Sequence, residues 1–284
     1  MDKVYSVLEN LRKPGQEKNI NLPGNGSAPV NNVQTGGCPL CHDRGLIISE
    51  SGESAVPCQC MRQRSLLAKI KSANISLSML KCSFSQFNPN YYDKNSYEST
   101  RGRSYYENAA IAYRLARQFV DRALKGERPD GIMFTGNVGS GKTFLACCIA
   151  NALLEHGEEL LFLVVPDLLD EIRATYDNGV HDVTEQELLD TARKVKYLIL
   201  DDLGAHNYTE WTRNKLYSII NYRLNNQLPT IITTNLDLAE LEQHLGDRTT
   251  SRIVQLCQVV RLLVDTDIRI QKRRSKDQNT DREI

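Results

Sequence analysis

The sequence predicts an α/β domain on a five-stranded parallel sheet in three layers, preceded by a small cysteine-rich module. Three observations predict it. From about residue 105, apolar runs of strand length alternate with helical stretches, the pattern of parallel strands covered by helices on both faces. A glycine-rich loop, Gly136-Asn-Val-Gly-Ser-Gly-Lys-Thr143, falls between the first such strand and its helix. Four of the chain's eight cysteines crowd into residues 38–60, well upstream.

Each element has a local reason. Val4, Val7, Leu8 and Leu11 share one face of a short helix over 3–12, which Pro14 and Gly15 stop. Residues 15–37 are rich in Asn, Gly, Pro and Ser, so 1–37 reads as a helix followed by a flexible linker. The cysteine module spans 38–62, and a connector covers 63–104. That connector is basic and helical over 63–81, then looser through Phe84, Phe87, Tyr91 and Tyr92. The α/β domain occupies 105–270, and its first helix ends at Gly126. Strands are expected at 131–136, 159–165, 196–200, 229–235 and 259–264. Gly157 closes the helix that begins at Lys142, Pro166 opens the next, and Thr184 with Glu187 has capping-box spacing for a third. Further helices are expected over 209–226, 236–245 and 249–258, the last carrying Cys257. Residues 271–284 form a polar tail that is expected to fray.

Lys plus Arg and Asp plus Glu both number 35 in 284 residues. This balance excludes a uniformly cationic nucleic-acid coat but permits a local basic groove. The longest apolar runs, such as 160–165, are far too short to span a bilayer, and the N-terminus lacks the apolar core of a signal peptide. The expectation is a cytoplasmic protein without a membrane partner, in which clustered cysteines point to metal rather than to disulfides.

The chemistry begins at the loop. Gly136, Gly139 and Gly141 let the backbone curl so that its N–H groups, with those of Asn137, Val138 and Ser140, face a phosphate at a helix N-terminus. Lys142 would reach the β/γ-phosphates of ATP, and the Thr143 hydroxyl would ligate Mg²⁺. A buried strand then ends in Asp201-Asp202. Asp201 would also hold Mg²⁺, and Asp202 would orient or deprotonate the attacking water. Asp is shorter than the Glu many such hydrolases use there, so turnover is expected to be slow. The next strand ends at Asn235, which is read equally as a bond to the γ-phosphate or the water and as a cap of the following helix, two roles that can coexist. Cys38-x-x-Cys41 and Cys58-x-Cys60 supply four thiolates for one closed zinc site, with His42 as the fallback ligand and Fe–S ligation the weaker alternative. Cys147, Cys148 and Cys257 are read as packing residues, and Cys82 has no assigned role.

In sequence order, the cysteine module, Ser83-Phe84-Ser-Gln-Phe87, GNVGSGKT, LILDDLG, ITTN, GDRTTSR and DTDIR together resemble the AAA+ ATPases. More narrowly they resemble bacterial helicase loaders of the DnaC/DnaI type, with the transposition helper IstB a close relative. The resemblance runs from about Cys38 to Arg269. It implies an ATPase, slow and dependent on assembly, that loads a replicative hexameric DNA helicase onto single-stranded DNA at replication initiation. It also implies self-association into a ring or helical oligomer. Arg252, or failing that Arg248, would be the arginine finger reaching a neighbour's ATP, and Arg269 the sensor-2 arginine. A full AAA+ protein carries a helical lid after sensor 2, whereas fifteen residues follow Arg269, so no full lid is expected. Sequence-independent strand binding uses aromatic platforms beside positive charge, which makes Tyr176 and Trp211 the DNA candidates, with Tyr208 behind them. The N-terminal module would hold the helicase. The alternatives are a transposition helper acting on target DNA, a P-loop kinase, and an adaptor that binds nucleotide without hydrolysing it.

Overall fold

The computed structural model describes residues 38, 41, 45–48, 54–58, 73–170, 185–205 and 208–280. The expected helix at 3–12, the linker at 15–37, His42, Cys60, the connector residues 63–72, Tyr176 and Thr184 lie outside the described residues. The chain divides into two compact units, Met1–Ile70 and Lys71–Ile284.

In the first unit, β1 (Leu46–Ile48) and β2 (Ala55–Pro57) form an antiparallel hairpin with Ile47 opposite Val56. The Cys58 N–H donates to the Gly45 carbonyl at 2.8 Å and extends the ladder by one bond. Cys58 thereby sits at the base of the hairpin, beside the chain's entry into β1.

The second unit opens on Ala73, whose carbonyl accepts from the Phe162 N–H at 2.8 Å. The connector does not form the expected α-helix over its described part. Asn74 takes φ 55°, and only a 3₁₀ turn, Met79–Lys81, follows. Two more such turns, Phe84–Gln86 and Pro89–Tyr91, carry the chain to α1 (Tyr105–Leu124). Ser104 and Glu107 form a reciprocal capping box there, and a stripe of Ala109, Ala112, Ala116 and Ala123 lets α1 lie close to its neighbours.

The core sheet contains β3 (Gly131–Thr135), β4 (Leu160–Val164), β5 (Tyr197–Asp201), β6 (Thr230–Thr234) and β7 (Cys257–Arg261). The order is β4-β5-β6-β3-β7, with every pair parallel. Between the strands run α2 (Lys142–Glu155), α3 (Glu185–Lys194), α4 (Glu210–Asn225), α5 (Leu238–Leu245) and α6 (Asp247–Leu256), and residues 165–170 are also helical. On one face Met133, Leu198, Leu200 and Ile232 pack with Leu189 of α3, Leu216 and Ile219 of α4, Leu241 of α5 and Ile253 of α6. On the other, Phe119 of α1 meets Tyr197 edge-on at 6.2 Å. The predicted three-layer α/β architecture is therefore present, and the carboxyl ends of β3, β5 and β6 converge at one edge.

At the opposite edge, Arg223 is wholly buried and ties elements together. Its guanidinium donates to the carbonyls of Ala192, Val195 and Pro229 at 3.1, 2.8 and 2.8 Å, and to Thr230 Oγ1 at 2.8 Å. A cation at the end of α3 satisfies carbonyls that have no partner within that helix.

Two further expectations are corrected. Cys257 opens β7 rather than ending a helix, because α6 starts early at Gly246, which has φ 86°, and is complete by Leu256. Cys257 instead pairs with Gly131 in the ladder. The supposed frayed tail is mostly helix: α7 spans Ile268–Thr280. Asp267 Oδ1 accepts from the Arg269 N–H at 2.8 Å and caps it, a bond that polar composition alone does not reveal.

Candidate functional site

The glycine-rich loop joins β3 to α2 and is held from three directions. Gly136, Gly139 and Gly141 have φ of 137°, 73° and 94°. A Cβ at Gly136 would lie 1.8 Å from the Leu262 carbonyl oxygen, so only glycine fits that close approach. The Asn137 side chain donates to the Val264 carbonyl at 2.6 Å and accepts from the Val264 N–H at 3.1 Å, which pins the loop to the β7–α7 connection. The Tyr92 hydroxyl donates to the Ser140 carbonyl at 2.8 Å from the connector side. Lys142 is buried, and its Nζ donates to the carbonyls of Gly136 and Asn137, both at 2.8 Å. Burial pulls its pKa down to about 8.

Asp201 ends β5 beside this loop and is 3% exposed. Its Oδ1 accepts from Thr143 Oγ1 at 2.9 Å and Thr233 Oγ1 at 2.6 Å. Burial raises the carboxyl pKa, and those hydroxyl bonds only partly offset it. A hydroxyl and a carboxylate oxygen meeting at this distance form a hard-oxygen donor pair that suits Mg²⁺. Asp202 follows with φ 56°, a left-handed conformation that turns its side chain to the cavity while its N–H donates to Thr233 Oγ1 at 3.0 Å. Asn235 is exposed and lines the same cavity. It does not cap α5. Asp237 does, in a capping box with Glu240, so the two sequence-level options for Asn235 are separated.

The cavity, about 320 Å³, brings Lys142, Thr143, Asp202, Asn235 and Arg269 together. It also has walls that sequence reasoning missed. Phe87, Asn88, Tyr91 and Tyr92 come from the connector, Phe144 from α2, and Ile268 and Lys272 from α7. Lys272 Nζ stands 5.8 Å from the Tyr91 ring centroid and 5.6 Å from that of Phe144. Phe87 stacks on Tyr92 at 5.8 Å and on Tyr113 of α1 at 4.8 Å, which couples the connector to the rigid domain. The signal available beforehand was the aromatic density of 84–92 immediately upstream of the domain.

The remaining candidates lie elsewhere. Arg248 and Arg252 sit on α6 and are not among the residues lining the cavity. Arg252 Nε donates to the Tyr217 hydroxyl at 3.2 Å, with its guanidinium 5.3 Å from that ring's centroid. Trp211 packs partly on the core, with Lys215 Nζ 5.3 Å from its ring centroid. Tyr208 is corrected: it is 7% exposed and its hydroxyl accepts from the Gly204 N–H at 2.7 Å, so it braces the turn after Asp202 and offers no open stacking face.

In the hairpin unit, the sulfurs of Cys38, Cys41 and Cys58 all lie within 4.8 Å of one another, with Cys38 and Cys58 at 3.6 Å. Four thiolates around zinc stand about 3.8 Å apart, from Zn–S bonds of about 2.3 Å in a tetrahedron. The trio therefore fits three corners of such a site.

Comparisons with known proteins identify the family of the α/β domain. A family model described as IstB-like ATP binding protein matches residues 115–276. The replicative helicase loader DnaI of Bacillus subtilis is 33% identical over 115 residues, covering 40% of this chain and 36% of that protein. The replicative helicase loader DnaC of Escherichia coli K12 is 30% identical over 142 residues, covering 49% of this chain and 55% of that protein. The chain thus matches less than two thirds of the length of either. A crystal structure of DnaI superimposes with a TM-score of 0.54 at 27% identity, over 68% of this chain and 94% of that one.

Proposed function

The chain belongs to the IstB-like ATP-binding protein family, and from that premise we propose that it is an ATP-gated loader of a replicative hexameric DNA helicase onto single-stranded DNA in the cytoplasm. The observation that carries the ATP reading is the single cavity shared by Lys142, Thr143, Asp202, Asn235 and Arg269. The relatives named as helicase loaders supply the choice of partner. Among the described residues no helix is long and apolar enough to cross a membrane.

The loop's backbone N–H groups and Lys142 bind the β- and γ-phosphates. The aromatic and polar walls from the connector and α7 take the base and ribose. Thr143 and Asp201 would hold Mg²⁺, which when bound neutralises phosphate charge. Asp202 accepts a proton from, or orients, the attacking water. Asn235 bonds that water or the γ-phosphate, and Arg269 steadies the γ-phosphate. Arg252 acts on a neighbouring subunit's nucleotide, with Arg248 as the second choice, so hydrolysis follows assembly into a ring or helical oligomer. Cys38, Cys41, Cys58 and Cys60 hold structural zinc in a module that grips the helicase. Trp211 and Tyr176 are the aromatic contacts for DNA.

Replacing Arg252 with Ala tests the ATPase reading. A guanidinium supplied in trans contributes about 10³–10⁵ in rate. Turnover should fall at least about a hundredfold while light scattering reports unchanged assembly and titration calorimetry reports unchanged nucleotide binding. Unchanged turnover in a normally assembled variant would remove the finger and with it the coupling of hydrolysis to assembly.

A further inference from the structure

Asp267 has no task in the chemistry above, yet it lies against the phosphate loop. A Cβ placed on Gly139 would stand 2.0 Å from Asp267 Cγ, and the Ile268 N–H donates to the Gly139 carbonyl at 3.1 Å. The same carboxylate grips the guanidinium two residues on, accepting from Arg269 Nη2 at 2.9 Å and Nε at 3.2 Å. Its Oδ1 also caps α7 through the Arg269 N–H. Capping alone does not explain the acid, because neutral Asn caps a helix about as well. An anion beside a loop of phosphate-facing N–H groups opposes the ligand that loop would bind. The Arg269 side chain remains 72% exposed, so its ion pair is weak enough to exchange partners.

We propose that Asp267 is a positioning residue that acts as a carboxylate latch. It keeps Arg269 parked at the mouth of the phosphate site until a third phosphate takes the guanidinium from it. Two anions then compete for one cation, and only the longer polyphosphate competes well. The latch thereby penalises ATP and not ADP, holding the site's ATP preference below what Arg269 alone would give, and it links arrival of the γ-phosphate to release of the α7 end from Gly139. This rests on the cavity being the ATP site.

The test is a cycle of Asp267→Asn and Arg269→Gln, with dissociation constants measured for a non-hydrolysable ATP analogue and for ADP. Asn keeps the helix cap and removes only the charge, and circular dichroism melting confirms that each variant is folded. With Arg269 present, Asp267→Asn should tighten the ATP analogue about three- to fivefold more than it tightens ADP. In the Arg269→Gln background that ATP-selective gain should vanish. Equal changes for both nucleotides, or the same selective gain without Arg269, would reduce Asp267 to a cap. If the wild-type chain binds neither nucleotide, the ATP-site reading itself fails, and the latch falls with it.

Discussion

Lys142 shows how burial decides what a residue can do. Burial holds its pKa at about 8 rather than at the usual lysine value, even though its ammonium donates to the Gly136 and Asn137 carbonyls. A bound polyphosphate favours the charged form and raises that pKa again. Nucleotide binding should therefore take up a proton above pH 8, and affinity should fall as pH rises through that value. From pH 7 to pH 9 the dissociation constant of a non-hydrolysable ATP analogue should increase about tenfold, with Lys142→Arg flattening the profile. Titration calorimetry in two buffers of different ionisation enthalpy would count the proton, and a flat profile would mean that Lys142 does not face phosphate. At this scale the sequence was informative wherever a residue type is dictated by chemistry. Glycines at positive φ, a lysine and a threonine at a helix start, and an acid at a strand end all fell where expected. It was less informative where a role depends on what lies opposite. Tyr208 resembled a platform until its hydroxyl met Gly204, and Asn235 resembled a cap until Asp237 took that position.

Among the elements, strands and helices of the α/β domain were legible because periodicity and caps are local. The connector and α7 were not, because both are organised by what they touch. The connector's short 3₁₀ turns place Phe87 and Tyr92 between Tyr113 and the Ser140 carbonyl, a contact spanning 48 residues in the last case. The α7 sequence is polar enough to read as tail, yet Asp267 caps it and Ile268 and Lys272 line the cavity. The cysteine hairpin is the reverse case, a small element with few apolar residues whose spacing pointed to a metal site and whose Cys38, Cys41 and Cys58 sulfurs lie close enough to share one. A site of this kind can supply about 10–16 kcal/mol of apparent folding energy. Stripping the metal with a strong chelator, or converting Cys38 and Cys41 to Ser, should unfold this hairpin and abolish helicase binding. ATP-analogue affinity should change less than about twofold, since the nucleotide cavity is lined entirely from residues beyond 85. Metal analysis should find one zinc per chain, and its absence from protein purified without chelator would contradict the assignment.

Across the whole molecule, the order β4-β5-β6-β3-β7 is what makes a site from separate motifs. It sets β6 between β3 and β5, so the loop after β3, the acids after β5 and Asn235 after β6 open onto one edge. Arg223 holds the other edge, where it ties the end of α3 to the entries of β5 and β6. Alternation of strands and helices predicted a parallel sheet, but not this order, which depends on long-range pairing that no local pattern encodes. The arginines of α6 do not line the cavity of their own chain, so the finger role proposed for them depends on a neighbouring copy. In the proposed function, nucleotide binding in one unit governs delivery of a helicase to DNA. This coupling is tested most directly by incubating the full chain with a purified hexameric replicative helicase and circular single-stranded DNA, then counting helicase retained on the circle. Retention should require both the chain and ATP, and should be lost with Lys142→Ala. Equal retention without the chain, or retention that ignores nucleotide while ATP binding is intact, would contradict it.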